Sequence, residues 1–125
     1  MKKVLIAASA AMIVFLAVFL LWPRASKGPR FDTTYEAVLL DNGFVYYGKV
    51  DSVDSEFPTL TDVYYIQSQV DAQTKESKSI LIRRGNEWHA PNRTIINKRH
   101  IIMIEPVTPG SKVAQLIAAL RAKSQ

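Results

Sequence analysis

The first pattern along the chain is an unbroken apolar run: residues 4–22, VLIAASAAMIVFLAVFLLW, include no charge over 19 positions. As a helix this run measures roughly 28 Å, close to the ~30 Å hydrocarbon core of a bilayer, so it is long enough to span a membrane once. Lys2 and Lys3 precede it. Trp22 stands where an amphipathic ring prefers the interface, Pro23 stops the helix, and Arg24, Lys27 and Arg30 follow. Lys2, Lys3, Trp22, Arg24 and Lys27 are therefore the expected membrane-interface residues, and the lipid bilayer is the first expected partner, met through residues 4–22. A cleaved secretory signal is the alternative. The one small-residue cluster, Ala8-Ser9-Ala10, lies inside the run, so cleavage there would leave most of it behind. A short lysine start before a long apolar run reads as a signal anchor, with the amino end inside and the rest of the chain in the periplasm of a bacterial inner membrane.

Beyond residues 1–24 the pattern changes twice. Residues 25–34, ASKGPRFDTT, have no hydrophobic period and read as a linker. From residue 35 onward short apolar and aromatic runs alternate with turn residues. Residues 35–40 and 44–50 are split by Asp41-Asn42-Gly43, whose Asn-Gly supplies the positive φ of a tight hairpin turn. Gly48, inside the second run, is expected to mark a bulge or barrel corner. A third strand is expected over 60–67, an exposed loop over 70–78, a fourth strand over 79–84 and a loop over 85–93. Strand segments at 94–96 and 101–107 are broken by the polar Asn97-Lys98-Arg99-His100. Ser111 is a suitable N-cap for a last segment running to residue 123, in which Val113, Leu116, Ile117 and Leu120 recur at helical spacing. That amphipathic helix is expected to cap the open end of the barrel, with docking on a partner or on the membrane surface as the alternative. The expected architecture is thus an N-terminal transmembrane helix, then a mainly-β small barrel with a C-terminal helix over residues 35–125, one domain in all.

Charge changes the picture only once it is located. The formal net charge is +5, but from residue 31 onward 11 basic residues face 11 acidic ones, so the excess belongs to the membrane flanks. The basic balance does not argue for nucleic acid. Within the domain, residues 31–62 carry seven acids against Lys49 alone, while the remainder carries ten bases against four acids, an asymmetry expected to be neutralised across the folded sheet, with a functional charge face as the alternative. There is no cysteine, which removes disulfides, thiolate metal sites and a thiol nucleophile.

Candidate chemistry is sparse. No Gly-rich phosphate loop, HExxH or G-x-S-x-G occurs, and the two histidines, His89 and His100, would have to meet a carboxylate such as Glu87 to hold a metal. No catalytic residue, cofactor or metal is expected. The most unusual stretch is Glu87-Trp88-His89-Ala90-Pro91. A Trp in a polar loop either folds back as a lid over the core or stands out as a binding anchor. The candidate partner-binding residues are Trp88, His89, Pro91, Arg93, Lys98, Arg99, His100, Leu116 and Leu120.

Leu40-Asp41-Asn42-Gly43, followed by Gly48-Lys49-Val50-Asp51, resembles the first half of a small Sm-like or SH3-like barrel, and Lys98-Arg99-His100-Ile101 resembles the Lys-His pair of the bacterial Sm-like RNA chaperone. The chain departs from that family in having Ser52 after Asp51 where the family has Asn, and in lacking the Arg-Gly of the second motif; both help form the RNA pocket. The resemblance therefore implies the barrel more than RNA binding. The whole layout also resembles uncharacterised single-pass bacterial membrane proteins, a likeness that carries no activity. The expected role is a non-catalytic membrane-anchored accessory, scaffold or assembly subunit among other integral membrane subunits; a membrane-tethered binder of nucleic acid or another polyanion is the alternative, and an envelope enzyme a distant third.

Overall fold

A computed structural model describes residues 28–124. The apolar stretch 4–22 and its flanking Lys2, Lys3, Trp22, Arg24 and Lys27 lie outside the described residues; among the described ones no helix is long and apolar enough to cross a membrane. Six strands follow one another: β1 (Glu36–Leu40), β2 (Val45–Asp51), β3 (Thr59–Val70), β4 (Ser77–Arg83), β5 (Arg93–Ile95) and β6 (Ile101–Pro106), with helix α1 (Lys112–Lys123) last. All pairings are antiparallel and the order across the sheet is β4-β3-β2-β1-β6, with β5 added on β3.

The hairpin expected at Asp41-Asn42-Gly43 joins β1 to β2. Gly43 has φ +83°, and the Phe44 N–H donates to Asn42 Oδ1 at 3.1 Å, locking the turn. The expected irregularity at Gly48 is also present, for the β2–β3 register shifts between Tyr47 and Lys49. Its cause is close approach rather than a special φ: a Cβ on Gly48 would stand 3.2 Å from the Thr61 carbonyl oxygen and 3.4 Å from Val63 Cγ2.

The sheet is open, so the expectation of a closed barrel is corrected to a bent six-stranded sheet. β6 pairs with β1 alone, while β4 and β5 share one edge of β3. The bend comes from β3. Leu60 and Val63, three residues apart, belong to the same apolar cluster, so the two-residue alternation slips by one at Asp62, which adopts φ 49°. The first part of β3 thereby pairs with β5 and the second part with β4. The loop expected over 70–78 is shorter than the sequence implied. β3 runs on to Val70 and β4 starts at Ser77, so that Gln69 faces Lys78 and Val70 faces Ser77. Neither face of this ribbon is buried, which is why it has no hydrophobic period. Its turn is held by Asp71 Oδ1, which accepts the N–H groups of Gln73 and Thr74 at 2.8 and 2.9 Å. These two donors hold the Asp71 carboxyl below its ordinary pKa.

Each face of the sheet has its own cluster. On one, Val38, Leu60, Val63 and Ile96 are buried against Leu40, Tyr46, Val50, Ile101 and Ile104. On the other, Tyr35, Tyr64 and Ile117 are buried against Tyr47, Leu81, Val107, Val113 and Leu120. Helix α1 therefore covers this second sheet face instead of capping a barrel end. An open sheet with two apolar faces needs a second layer, and α1 supplies it. Ser111 caps the helix as expected, its Oγ accepting the Ala114 N–H at 3.3 Å. Glu36 is the one buried charged residue among the described ones. It is satisfied by the Val50 N–H at 3.1 Å and the Thr33 hydroxyl at 3.3 Å.

Candidate functional site: the braced loop between β4 and β5

Because β4 ends at Arg83 and β5 begins at Arg93 on the same edge of β3, the nine residues between them must arch over the bend at Asp62. The Arg84 N–H extends the ladder by one step, donating to the Val63 carbonyl at 2.7 Å, and Gly85, at φ 125°, then turns the chain away. Glu87 braces the arch. Its carboxylate accepts the Gly85 N–H at 2.7 Å and Arg84 Nε at 2.9 Å, and its carbonyl accepts the Ala90 N–H at 2.7 Å. Chiefly through the Gly85 N–H, the Glu87 carboxyl is held at a pKa of about 2. The brace is intact at any physiological pH.

Trp88 sits at the crest of this brace, fully exposed at 106% of its reference area. The lid alternative is thereby overturned: the ring is not folded onto the core. His89 beside it is exposed too, and Pro91 is half-buried. Beneath the arch lies a cleft of about 430 Å³ lined by Asp62, Arg83, Arg84, Pro91, Arg93 and Thr94, among others. Two of its three arginines are committed. Arg83 Nη2 is 3.0 Å from Asp62 Oδ1, while Arg84 pairs with Glu87, reaches Thr94 Oγ1 at 3.3 Å and lies over the Tyr46 ring at 5.6 Å. Arg93 pairs with Thr61 through its backbone, and its exposed side chain is in no ion pair among the described residues.

Of the other sequence-derived candidates, Lys98, Arg99 and His100 form a single 3₁₀ turn capped by Asn97, whose Oδ1 accepts the Arg99 N–H at 3.1 Å. All three are exposed. His100 Nδ1 lies 2.7 Å from Asp41 Oδ2, tying that turn to the β1–β2 hairpin. His100 is thus engaged by Asp41, not by His89 and Glu87, and no group of three His, Asp or Glu among the described residues is placed to hold a metal. Leu120 packs into the cluster under α1, and Leu116 beside it is half-buried, so much of the helix's apolar stripe is spent on the domain itself.

Sequence reasoning did not find the polar centre beneath the helix. The hydroxyls of Tyr35 and Tyr64 both donate to Asp62, at 2.5 and 3.0 Å, and Arg121 Nη1 of α1 donates to the Tyr35 oxygen at 3.1 Å. Burial raises the pKa of both phenols, and the neighbouring carboxylate raises them further. For Asp62, burial works upward, but the two tyrosine hydrogen bonds and the charges of Arg83 and Arg121 outweigh it and leave its pKa below the ordinary value. The only signal in the sequence was a carboxylate inside an otherwise apolar strand, LTDVYYIQ. The arrangement is a structural clamp, since both phenol hydroxyls and both Asp62 oxygens are engaged within it. No family profile and no curated protein matches this chain.

Proposed function

We propose that this chain is a non-catalytic, single-pass accessory or scaffold subunit of a bacterial inner-membrane complex, its domain in the periplasm, and that the loop between β4 and β5 grips a partner protein. The observation that carries this reading is Trp88: a fully exposed indole held on a braced turn rather than on a floppy one. A pre-ordered loop loses little entropy on binding, and Trp is the residue most often found as an interface anchor. The committed state of Asp62, Glu87, Arg83 and Arg84 argues against acid–base chemistry in the cleft. The polyanion alternative rests on Arg93, Lys98 and Arg99, the exposed cations of this region. Phosphate contacts weaken steeply with salt, so a salt titration against single-stranded nucleic acid separates the two.

Purification of the full chain in gentle detergent tests the main reading. Trp88→Ala is expected to release the co-purifying partner, a hot-spot Trp carrying about 2 kcal/mol or more of binding, while the melting temperature stays put. A variant that keeps its partner overturns the assignment of this loop. A C-terminal reporter active only in the cytoplasm would overturn the topology.

A further inference from the structure

Where the chain enters the domain, it enters beside a second exposed surface. Gly28 lies directly against Asp54: a Cβ added to it would meet Asp54 Cβ at 3.0 Å. Two residues after Asp54, Glu56-Phe57-Pro58 runs alongside the end of β5, with the Lys98 N–H donating to the Glu56 carbonyl and the Ile96 N–H to the Pro58 carbonyl, both at 3.0 Å. The two runs present Phe57 and Ile95, 57% and 55% exposed, to solvent. Around them stand Arg93, on the same face of β5 as Ile95, and Lys98 and Arg99, all exposed, their side chains in no ion pair among the described residues. Two exposed carboxylates lie on this side, Glu56 within the two runs and Asp54 against Gly28. Two large exposed apolar side chains with three exposed cations on the adjoining run make a surface suited to a layer that is apolar inside and anionic outside.

We propose that this patch seats the domain on the anionic headgroups of the bilayer that holds residues 4–22. The inference rests on the reading of those residues as an anchor. Only five residues, 23–27, separate Trp22 from Gly28, so even fully extended the chain between the two reaches about 20 Å. A domain tethered that closely keeps the surface next to its point of entry within reach of the lipid. The patch borders the β4–β5 loop through Arg93, which also lines the cleft beneath that loop, whereas Trp88 belongs to the loop and not to the patch.

The chain has no cysteine, so a single one can be labelled. Full-length chain carrying Ile95→Cys, or Gln73→Cys at the exposed β3–β4 turn as reference, is labelled with an environment-sensitive dye and placed in nanodiscs of phosphatidylcholine with or without phosphatidylglycerol. In the anionic discs the label at position 95 is expected to shift to the blue and to be quenched by nitroxide lipids, and high salt to reverse both. The label at 73 stays exposed throughout. Adding Lys98→Glu with Arg99→Glu is expected to abolish the quenching at 95 without changing the melting temperature. A label at 95 as exposed as that at 73 in both lipids overturns the patch. So does one shielded in native membranes but exposed in lipid-only discs, which would assign the surface to a protein. A chain that fails to enter discs at all overturns the anchor reading itself, an outcome distinct from the other two.

Discussion

The two faces of the sheet are held by different physics. One closes on aliphatic side chains: Val38, Leu60, Val63 and Ile96 need no partner beyond each other and the half-buried residues around them. The other closes on aromatic rings and a helix, and carries at its centre a carboxylate shared by two phenols and flanked by two arginines. Tyr35 and Tyr64 meet edge-to-face at 6.1 Å, and Arg121 reaches Tyr35 across 86 positions of sequence. The aliphatic face is specified by period alone, and slips only where β3 bends. The aromatic face is specified by directed bonds, which fix the angle at which α1 lies down.

Substitutions at the two faces should differ in kind as well as in size. Leu60→Ala removes a fully buried side chain from the aliphatic face and is expected to cost about 2–5 kcal/mol, equally at every pH, by chemical denaturation. Gly48→Val forces a side chain against the Thr61 carbonyl and Val63 and should cost about 1–3 kcal/mol by overpacking; an unchanged midpoint would mean that β2 and β3 can move apart.

Asp62→Asn keeps the shape, and tolerates the positive φ, but loses the charge that Tyr35, Tyr64, Arg83 and Arg121 converge on, a loss of about 1 kcal/mol. Its signature is in the pH dependence. The folded pKa of Asp62 is depressed, so its contribution is full above the unfolded value of about 3.9 and disappears as pH falls through the folded one. The wild type should therefore lose this increment on acidification and the Asn variant should not. If both lose stability in parallel below pH 4, the directed bonds do not set the aromatic face apart. Trp88→Ala, touching neither face, should change stability by no more than about 0.5 kcal/mol.

How much of this was legible depended on whether a feature is local. The β1–β2 hairpin was, because Asn42-Gly43 encodes its own turn; so were the bulge at Gly48 and the Ser111 cap. The far half of the β3–β4 ribbon was not: with both faces in water, residues 68–70 and 77–78, polar apart from Val70, show no strand period, and only backbone pairing reveals them. The loop that carries Trp88 was picked out by composition, but whether the ring lies inward or outward is decided by Glu87, whose bonds to Gly85 and Arg84 fix the turn.

By itself, then, the sequence determined the elements, their order and the apolar stripe of the last helix, since these follow from side-chain period and turn chemistry within a few residues. Only the tertiary structure decided that the sheet stays open, that α1 lies on its second face, and that Asp62 becomes the meeting point of Tyr35, Tyr64 and Arg83, with Arg121 joined through Tyr35. The first two depend on which strands and helix meet at long range, and the third on a one-residue slip in strand phase at Asp62, which leaves residue composition and spacing unchanged while moving every later side chain of β3 to the other face.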